Sequence, residues 1–383
     1  MAGLVEERQS TSAMAAPAII EGPPAAEVAA GPWSGRYRLL TSGLLLTVVA
    51  WAFEALAVAT VLPATVDDLG GLHLYGWVFG AFMLATLVGI SVAGGEVDRV
   101  GPARPFVVGI SLFVVGLLIG GFAPSMLVLI GGRTIQGLGS GIIGSVAYAV
   151  VGRGYPEAAR PRMLALWSTA WVVPGLAGPA LAGFVADVAS WRWVFFGIVP
   201  LPLLALVLTL SSLRRIPPGV AAPREWTRLR DAVLLALGFA TVLIGFGRDA
   251  WLLAAPLVVG GGLVAVPALR RLVPPGTLRA APGPQAAVAG LAVLNFAFFG
   301  VEVFIPLALT DLRGQGTAFA GLALTASAIT WTIGSWVLDR RAKLASRRGL
   351  VRLGMALVAL GIGMVWLVLY PAVPVLVAPL TFL

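Results

Sequence analysis

Three charged side chains stand inside long apolar runs: Glu54, Arg133 and Glu302. Glu54 lies in VVAWAFEALAVATVLP, residues 48–63, with no other charge within ten positions on either side. A charge at the centre of a bilayer costs at least roughly 2.5–3.5 kcal/mol on insertion scales, so such groups face a bundle interior or a wet cavity. A carboxylate held there can take up and release a proton, and a guanidinium beside it attracts it strongly in a low dielectric. At a rise of about 1.5 Å per residue, Glu54 lies roughly 14 Å before Pro63 and Arg133 roughly 12 Å after Ser125, so the two fall at similar depth.

That pairing has two readings. Burial away from water and a neighbouring guanidinium act on the proton affinity of Glu54 in opposite senses. If access to water alternates between sides, the carboxylate carries a proton across. In the other reading a fixed ion pair locks two helices. Glu302, four residues before Pro306, is read as a second proton site or a contact for cationic substrates. The alternative is a cavity carboxylate bonded to a neighbour such as Asn295. Trp51, Trp167, Trp171 and Trp331 lie within apolar runs and could line a pocket for flat or cationic molecules, or simply pack. Trp33, Trp191, Trp193, Trp226 and Trp251 lie near run ends, where indoles anchor at headgroups. His73 reads as a loop histidine at the edge of a run.

The elements that must position these groups are membrane helices. Of 383 residues, 59% are hydrophobic and 11% charged, with a mean hydropathy of +0.96. Soluble domains carry roughly a quarter charged residues. The net charge of +9 is spread between apolar runs rather than gathered in a patch, which argues against nucleic acid as a partner. There is no cysteine and one histidine, so disulfides, thiolate chemistry and a metal cluster are not expected. No Ser/His/Asp arrangement or phosphate loop appears; Gly260–Gly262 lies inside an apolar run. We therefore expect no enzyme, no catalytic residues and no cofactor. Residues 1–35 are rich in Ala, Pro and Glu, lack the pattern of a cleavable leader, and read as a disordered tail.

A crossing needs about 20 apolar residues. Runs of that kind fall near 39–63, 74–94, 106–122, 125–150, 163–187, 192–211, 232–247, 251–269, 287–310, 318–338 and 350–370. A twelfth begins around Pro371 and the sequence stops at Leu383, so we read it as cut off inside a helix. With the N-terminus inside, Arg36 and Arg38, Arg99 and Arg104, Arg153, Arg214 and Arg215, Arg270 and Arg271, and Arg340 and Arg341 fall on the inner side. Arg192, Arg248 and Arg313 fall on the outer side. That asymmetry sets an N-inside orientation. The first run ends Pro63…Asp67-Asp68-Leu69 and the ninth Pro306…Asp311-Leu312, a short echo of the kind two related halves would leave.

Four stretches resemble motifs of the major facilitator superfamily, in particular its drug:proton antiporters of the fourteen-span type. Gly94-Gly95-Glu96-Val97-Asp98-Arg99-Val100-Gly101 is similar to the loop motif G-x-L-x-D-R-x-G, with Glu96 in place of Leu. Arg133-Thr134-Ile135-Gln136-Gly137-Leu138-Gly139 matches R-x-x-Q-G-x-G, whose Arg is associated with proton coupling. Pro174 to Gly183 resembles the antiporter motif G-x-x-x-G-P-x-x-G-G, departing at Pro174 and Ala182 and keeping Gly178, Pro179 and Gly183. Trp191-Arg192-Trp193-Val194-Phe195 with Pro200 is similar to the opening of span 6 in that group. Glu54 stands where the family places an Asp, nine residues before Pro63.

The resemblance implies an all-α polytopic membrane protein of the major facilitator fold. Two pseudo-repeated six-helix bundles flank an inserted helix pair, the second bundle being incomplete here. The implied division is a cytoplasmic tail at 1–35, a first bundle at 36–211, linkers and the inserted pair at 212–286, and a partial second bundle at 287–383. The implied function is proton-coupled efflux of small amphipathic or cationic drug-like molecules by alternating access, across the inner (plasma) membrane. The alternatives are a transporter of one metabolite and a non-transporting remnant. Glu54 and Arg133 would couple to protons. Trp51, Gln136, Trp171, Asn295 and Glu302 would line the substrate cavity. Gly94, Asp98, Arg99, Gly101, Gly178, Pro179 and Gly183 would serve conformational change. The expected partners are substrate, protons and the lipid bilayer; the oligomeric state is not legible.

Overall fold

The computed structural model describes residues 31–219, 226–248, 250–341, 347–370 and 372–374. Most of the tail at 1–35 and of the run from Pro371 lies outside the described residues. The described residues are helices and the turns joining them: α1 (Arg38–Leu69), α2 (Tyr75–Val100), α3 (Ala103–Gly121) and α4 (Met126–Gly154) come first. Then follow α5 (Arg160–Thr169), α6 (Val172–Val188), α7 (Trp191–Ile198) and α8 (Pro200–Leu213). The rest are α9 (Trp226–Phe246), α10 (Trp251–Leu272), α11 (Pro284–Glu302), α12 (Thr317–Arg341) and α13 (Arg347–Val368). Ten of the described segments are long and apolar enough to cross a membrane. The expected run at 318–338 falls within α12, of which Thr317–Ser327 is a shorter apolar helix.

Some expected runs are each built from two helices, and prolines explain where they divide. A proline removes the donor for the carbonyl four residues earlier. The fifth run divides between α5 and α6 at Ala170-Trp171, just before Pro174, and the sixth divides at Val199, just before Pro200. The ninth ends as α11 at Glu302, four residues before Pro306. It resumes as one turn, Ile305–Leu307, and a π turn, Ala308–Leu312. Helix α1 passes through Pro63 and α6 through Pro179 without dividing. Turns are sharp where glycine permits it: Gly70 and Gly71 between α1 and α2 have φ of 69° and 79°.

Successive crossings alternate direction, so one end of the assembly collects the starts of α1, α3 and α5 and the ends of α2, α4 and α8. We call this the basic end. It carries Arg36, Arg99, Arg104, Arg153 and Arg215. Helix α1 is the pillar of the molecule. It packs on α6, α7, α8 and α12 and buries Leu44, Val48, Val58, Val61 and Leu62. Without a hydrophobic force between helices in lipid, such contacts rest on close van der Waals packing of small residues. In α4, Gly137 and Gly141 supply it: a Cβ at either would collide with carbonyls of Phe82 and Thr86 on α2. Helices α9 and α10 form a pair lying against α2, joined at the basic end by Arg271 and the buried Asp231, 3.2 Å apart.

Candidate functional site

Helix α1 presents Glu54 inward, and α4 presents Arg133 and Gln136, four residues and one residue before Gly137, where the close contacts just described begin. Their relative exposures are 0%, 2% and 0%. Arg133 Nη1 donates to Glu54 Oε1 and, at 2.8 Å, to Gln136 Oε1. Arg133 Nε donates to the Val78 carbonyl of α2 at 3.2 Å. The guanidinium also lies over the Phe82 ring, 4.1 Å from its centroid. Three helices thus converge on one cation. Glu54 Oε2 and Gln136 Nε2 have no hydrogen-bond partner among the described residues. Chemically this is a sealed carboxylate whose counter-ion has other acceptors at hand.

Glu302 stands apart from that cluster. It ends α11, is 8% exposed, and lines a cavity of about 670 Å³ between α11, α12 and α13. The walls are apolar, with Leu294, Phe298, Ile305, Met355 and Val358, and the polar additions are Ser327 and Thr330. Among the described residues no ion pair or hydrogen bond reaches the Glu302 carboxylate. Asn295 does not bond it: its Nδ2 donates to the Leu291 carbonyl one turn back, at 2.8 Å. The five residues assigned to one substrate cavity are therefore not gathered in one place. Trp51 lines a separate cavity of about 20 Å³ with Thr47, Ser140 and Trp167. Its ring meets Trp171 edge-on, with centroids 5.4 Å apart. Gln136 belongs with Arg133. The Trp331 side chain lies outside the described residues. The Glu302 cavity is lined from α11, α12 and α13, and no α1 residue is in its lining.

The loop motif closes on its own half. Asp98 pairs with Arg153 at the end of α4, 3.0 Å away, and Arg99 with Glu96 at 3.3 Å. Gly101 turns the chain at φ 78°. Gly94 has open space where a Cβ would stand. The antiporter motif on α6 faces the other half. A Cβ on Gly183 would stand 2.7 Å from Ala318 Cα of α12, and one on Gly321 of α12 would strike the Pro179 carbonyl. Gly178 lies against the Phe53 ring.

Several contacts were not anticipated. Tyr75, buried at the start of α2, donates its hydroxyl to the Val303 carbonyl at 2.9 Å and stacks on Phe304 at 5.5 Å. The Asp187 carboxylate accepts from the Ala318 amide at 3.2 Å, at the head of α12. Both contacts join the first six crossings to the α11–α12 region at the end opposite the basic one. Trp191, expected among headgroups, is 4% exposed and donates Nε1 to Asp68 at 3.1 Å. Arg192 completes that brace, 2.5 Å from Asp68. Trp33, Trp193, Trp226 and Trp251 are exposed, as is His73.

Comparison with known proteins places this geometry. Residues 40–383 match the sequence profile of the Major Facilitator Superfamily. A probable multidrug-efflux transporter of Mycobacterium tuberculosis is 28% identical over 311 residues, covering 78% of this chain and 66% of that protein. Multidrug resistance protein 3 of Bacillus subtilis is 27% identical over 340 residues, covering 86% and 66%. Multidrug export protein EmrB of Escherichia coli is 27% identical, covering 82% and 63%. The chain thus spans 66% or less of the length of these relatives. The fold is that of a POT family transporter crystallised with 5-aminolevulinic acid, with a TM-score of 0.64 at 16% identity over 93% of this chain and 82% of that one. It is also that of a D-xylose–proton symporter, with a TM-score of 0.59 at 16% identity over 90% and 77%. The profile match and the packed membrane helices agree: this chain is an integral membrane protein belonging to the Major Facilitator Superfamily.

Proposed function

We propose that the protein exports small amphipathic or cationic drug-like molecules in exchange for protons, as a drug:proton antiporter. The names of its relatives support export, and the observation that carries proton exchange is the sharing of Arg133. If Glu54 takes a proton, Arg133 keeps the Val78 carbonyl, the Gln136 amide oxygen and the Phe82 face. A buried charge stripped of all partners would be strongly destabilising. Here the arginine is never stripped, so Glu54 can change protonation without unfolding its surroundings. A helix lock would need no such alternatives.

Glu302 is the second carboxylate of the scheme. A cavity of about 670 Å³ is within the range of roughly 300–1,000 Å³ that holds drug-sized ligands. One carboxylate in apolar walls suits a lipophilic cation. The contacts at Tyr75 and Asp187 support a state sealed at the end opposite the basic one. With the basic end and the N-terminus in the cytoplasm, the sealed side faces out across the plasma membrane. The working halves are then residues 36–211 and 287–383, with 212–286 carrying the inserted pair. The test is efflux of ethidium from proteoliposomes containing the full chain. An imposed pH gradient should drive it uphill, and indifference to that gradient would remove the proton from the account.

A further inference from the structure

Four buried side-chain polar atoms lack a hydrogen-bond partner among the described residues. Three of them gather around the ion pair on α1 and α4: Glu54 Oε2, Gln136 Nε2 and Trp51 Nε1. Trp51 stands three residues before Glu54, and Ser140 four residues after Gln136. At those spacings each shares a helix face with its neighbour, about one turn away. Helix α1 starts at the basic end and α4 finishes there, so both steps lead from the ion pair toward that end. Trp51 and Ser140, with Thr47, line the cavity of about 20 Å³, against Phe113, Ile143 and Trp167.

A cavity holds one water when it offers roughly 10–15 Å³ and two to four polar partners. Here the room is about 20 Å³, and three side chains supply polar atoms. The Trp51 indole is a donor only and has no acceptor among the described residues. Ser140 is 6% exposed, and its hydroxyl makes no bond among them. Thr47 Oγ1 donates to the Gly43 carbonyl at 2.8 Å and keeps lone pairs that can accept. Plain packing accounts for the apolar wall but leaves a buried N–H unpaired, which is rare and costly. We propose that one water molecule sits in this cavity, accepting from Trp51 Nε1, donating to Thr47 Oγ1 and bonded to the Ser140 hydroxyl, and that Glu54 exchanges its proton with the basic end through it. The second half rests on the proton exchange proposed above. On release the Glu54 O–H bond breaks and its proton joins the water, which gives one of its own protons to solvent on the basic side. Trp51, Thr47 and Ser140 are positioning residues in this step: they hold the water and pass no proton themselves.

The test uses the full chain in detergent, with tryptophan isotope-labelled at the indole nitrogen, and reads magnetisation transfer from water to each indole N–H by NMR. Trp51→Phe identifies the Trp51 signal by its loss. In the unaltered chain that signal should show a cross-peak to a long-lived water. Ser140→Ala should weaken the cross-peak severalfold. Thr47→Val/Ser140→Ala, which leaves the water a single partner, should abolish it. The Trp191 indole, bonded to Asp68, should keep its signal and so vouches for the fold of each variant. Absence of the Trp51 cross-peak in the unaltered chain, or its survival in the double variant, would overturn the site. The role is read by stopped-flow proton release on addition of ethidium. The double variant should release the same amount of proton about tenfold or more slowly. An unchanged rate would take the water out of the route. No release from the unaltered chain would overturn the antiport reading and this role together, while the cross-peak decides the site by itself.

Discussion

Glu54 on α1 and Arg133 on α4 form an ion pair at 0% and 2% exposure, seventy-nine residues apart in sequence. Taking two charges out of water costs several kcal/mol per ion before their attraction is counted. The pair persists because Gln136, Val78 and Phe82 share the load on the arginine side. On the glutamate side one oxygen is bonded and Oε2 is left without a partner among the described residues. That asymmetry is what the proposed proton exchange at Glu54 draws on.

Removing the arginine should be far worse than neutralising the glutamate. Arg133→Ala leaves a buried carboxylate uncompensated and should cost about 3–5 kcal/mol. Glu54→Gln leaves the arginine three partners and should cost less. In the double variant Glu54→Gln/Arg133→Ala the loss should be smaller than the sum of the singles, measured as unfolding midpoints in detergent. Simple additivity would mean that the two are not energetically coupled.

Tyr75 holds the closed end through one hydroxyl. Tyr75→Phe keeps the stacking on Phe304 and loses the bond to the Val303 carbonyl, a change of about 0.5–1.5 kcal/mol. Opening of that end should rise by about two- to tenfold. The chain has no native cysteine, so a single Ala59→Cys probe, buried at 4%, can report it. Its labelling by a membrane-impermeant maleimide should speed up in the Tyr75→Phe background. An unchanged rate would show that the bond does not hold the closure.

Gly183 is needed for closeness rather than for flexibility. A side chain there meets α12 backbone, with Ala318 Cα 2.7 Å from the position of a Cβ. Gly183→Val should insert normally but fail to close, giving high maleimide labelling of Ala59→Cys and loss of drug export. Retained export at the level of the parent protein would argue that α6 and α12 need not meet.

Asp98 and Arg153 provide the contrast. They are 3.0 Å apart, with side-chain exposures of 43% and 32%. Exposed pairs contribute roughly 0–1 kcal/mol. Asp98→Asn should therefore shift the unfolding midpoint little. If it nevertheless slows export, the pair acts on conformational exchange. A large loss of stability would mark it as a structural clasp instead.

The ion pair was legible because it depends on one helix each. A fixed rise per residue, with Pro63 and Ser125 marking run ends, was enough to bring Glu54 and Arg133 to one depth. The Gly-rich stretch after Arg133 was legible only as a motif, and the structure shows what it packs on: the carbonyls of Phe82 and Thr86. The contacts between halves were not legible. Tyr75 and Val303 are 228 residues apart, and a tyrosine at the start of a run reads equally as a headgroup anchor. Trp191 misled for the same reason: only its partner, Asp68, shows that it faces inward. Dividing prolines posed a different problem. Pro174, Pro200 and Pro306 accompany breaks, whereas Pro63 and Pro179 sit in continuous helix. Neighbouring helices decide which carbonyls can be left without a donor, and the chain alone does not name those neighbours. Glu302 shares its cavity with α12 and α13 residues rather than with Trp51 or Gln136, and those neighbours are not named by the run that carries it.

The central claim is that Glu54 carries the exchanged proton. The direct measurement is proton release from the purified full chain in weakly buffered detergent on addition of ethidium, followed with a pH-indicating dye. The unaltered chain should release protons on binding, and Glu54→Gln should release none while still binding ethidium. Release from Glu54→Gln equal to that of the unaltered chain would contradict the account.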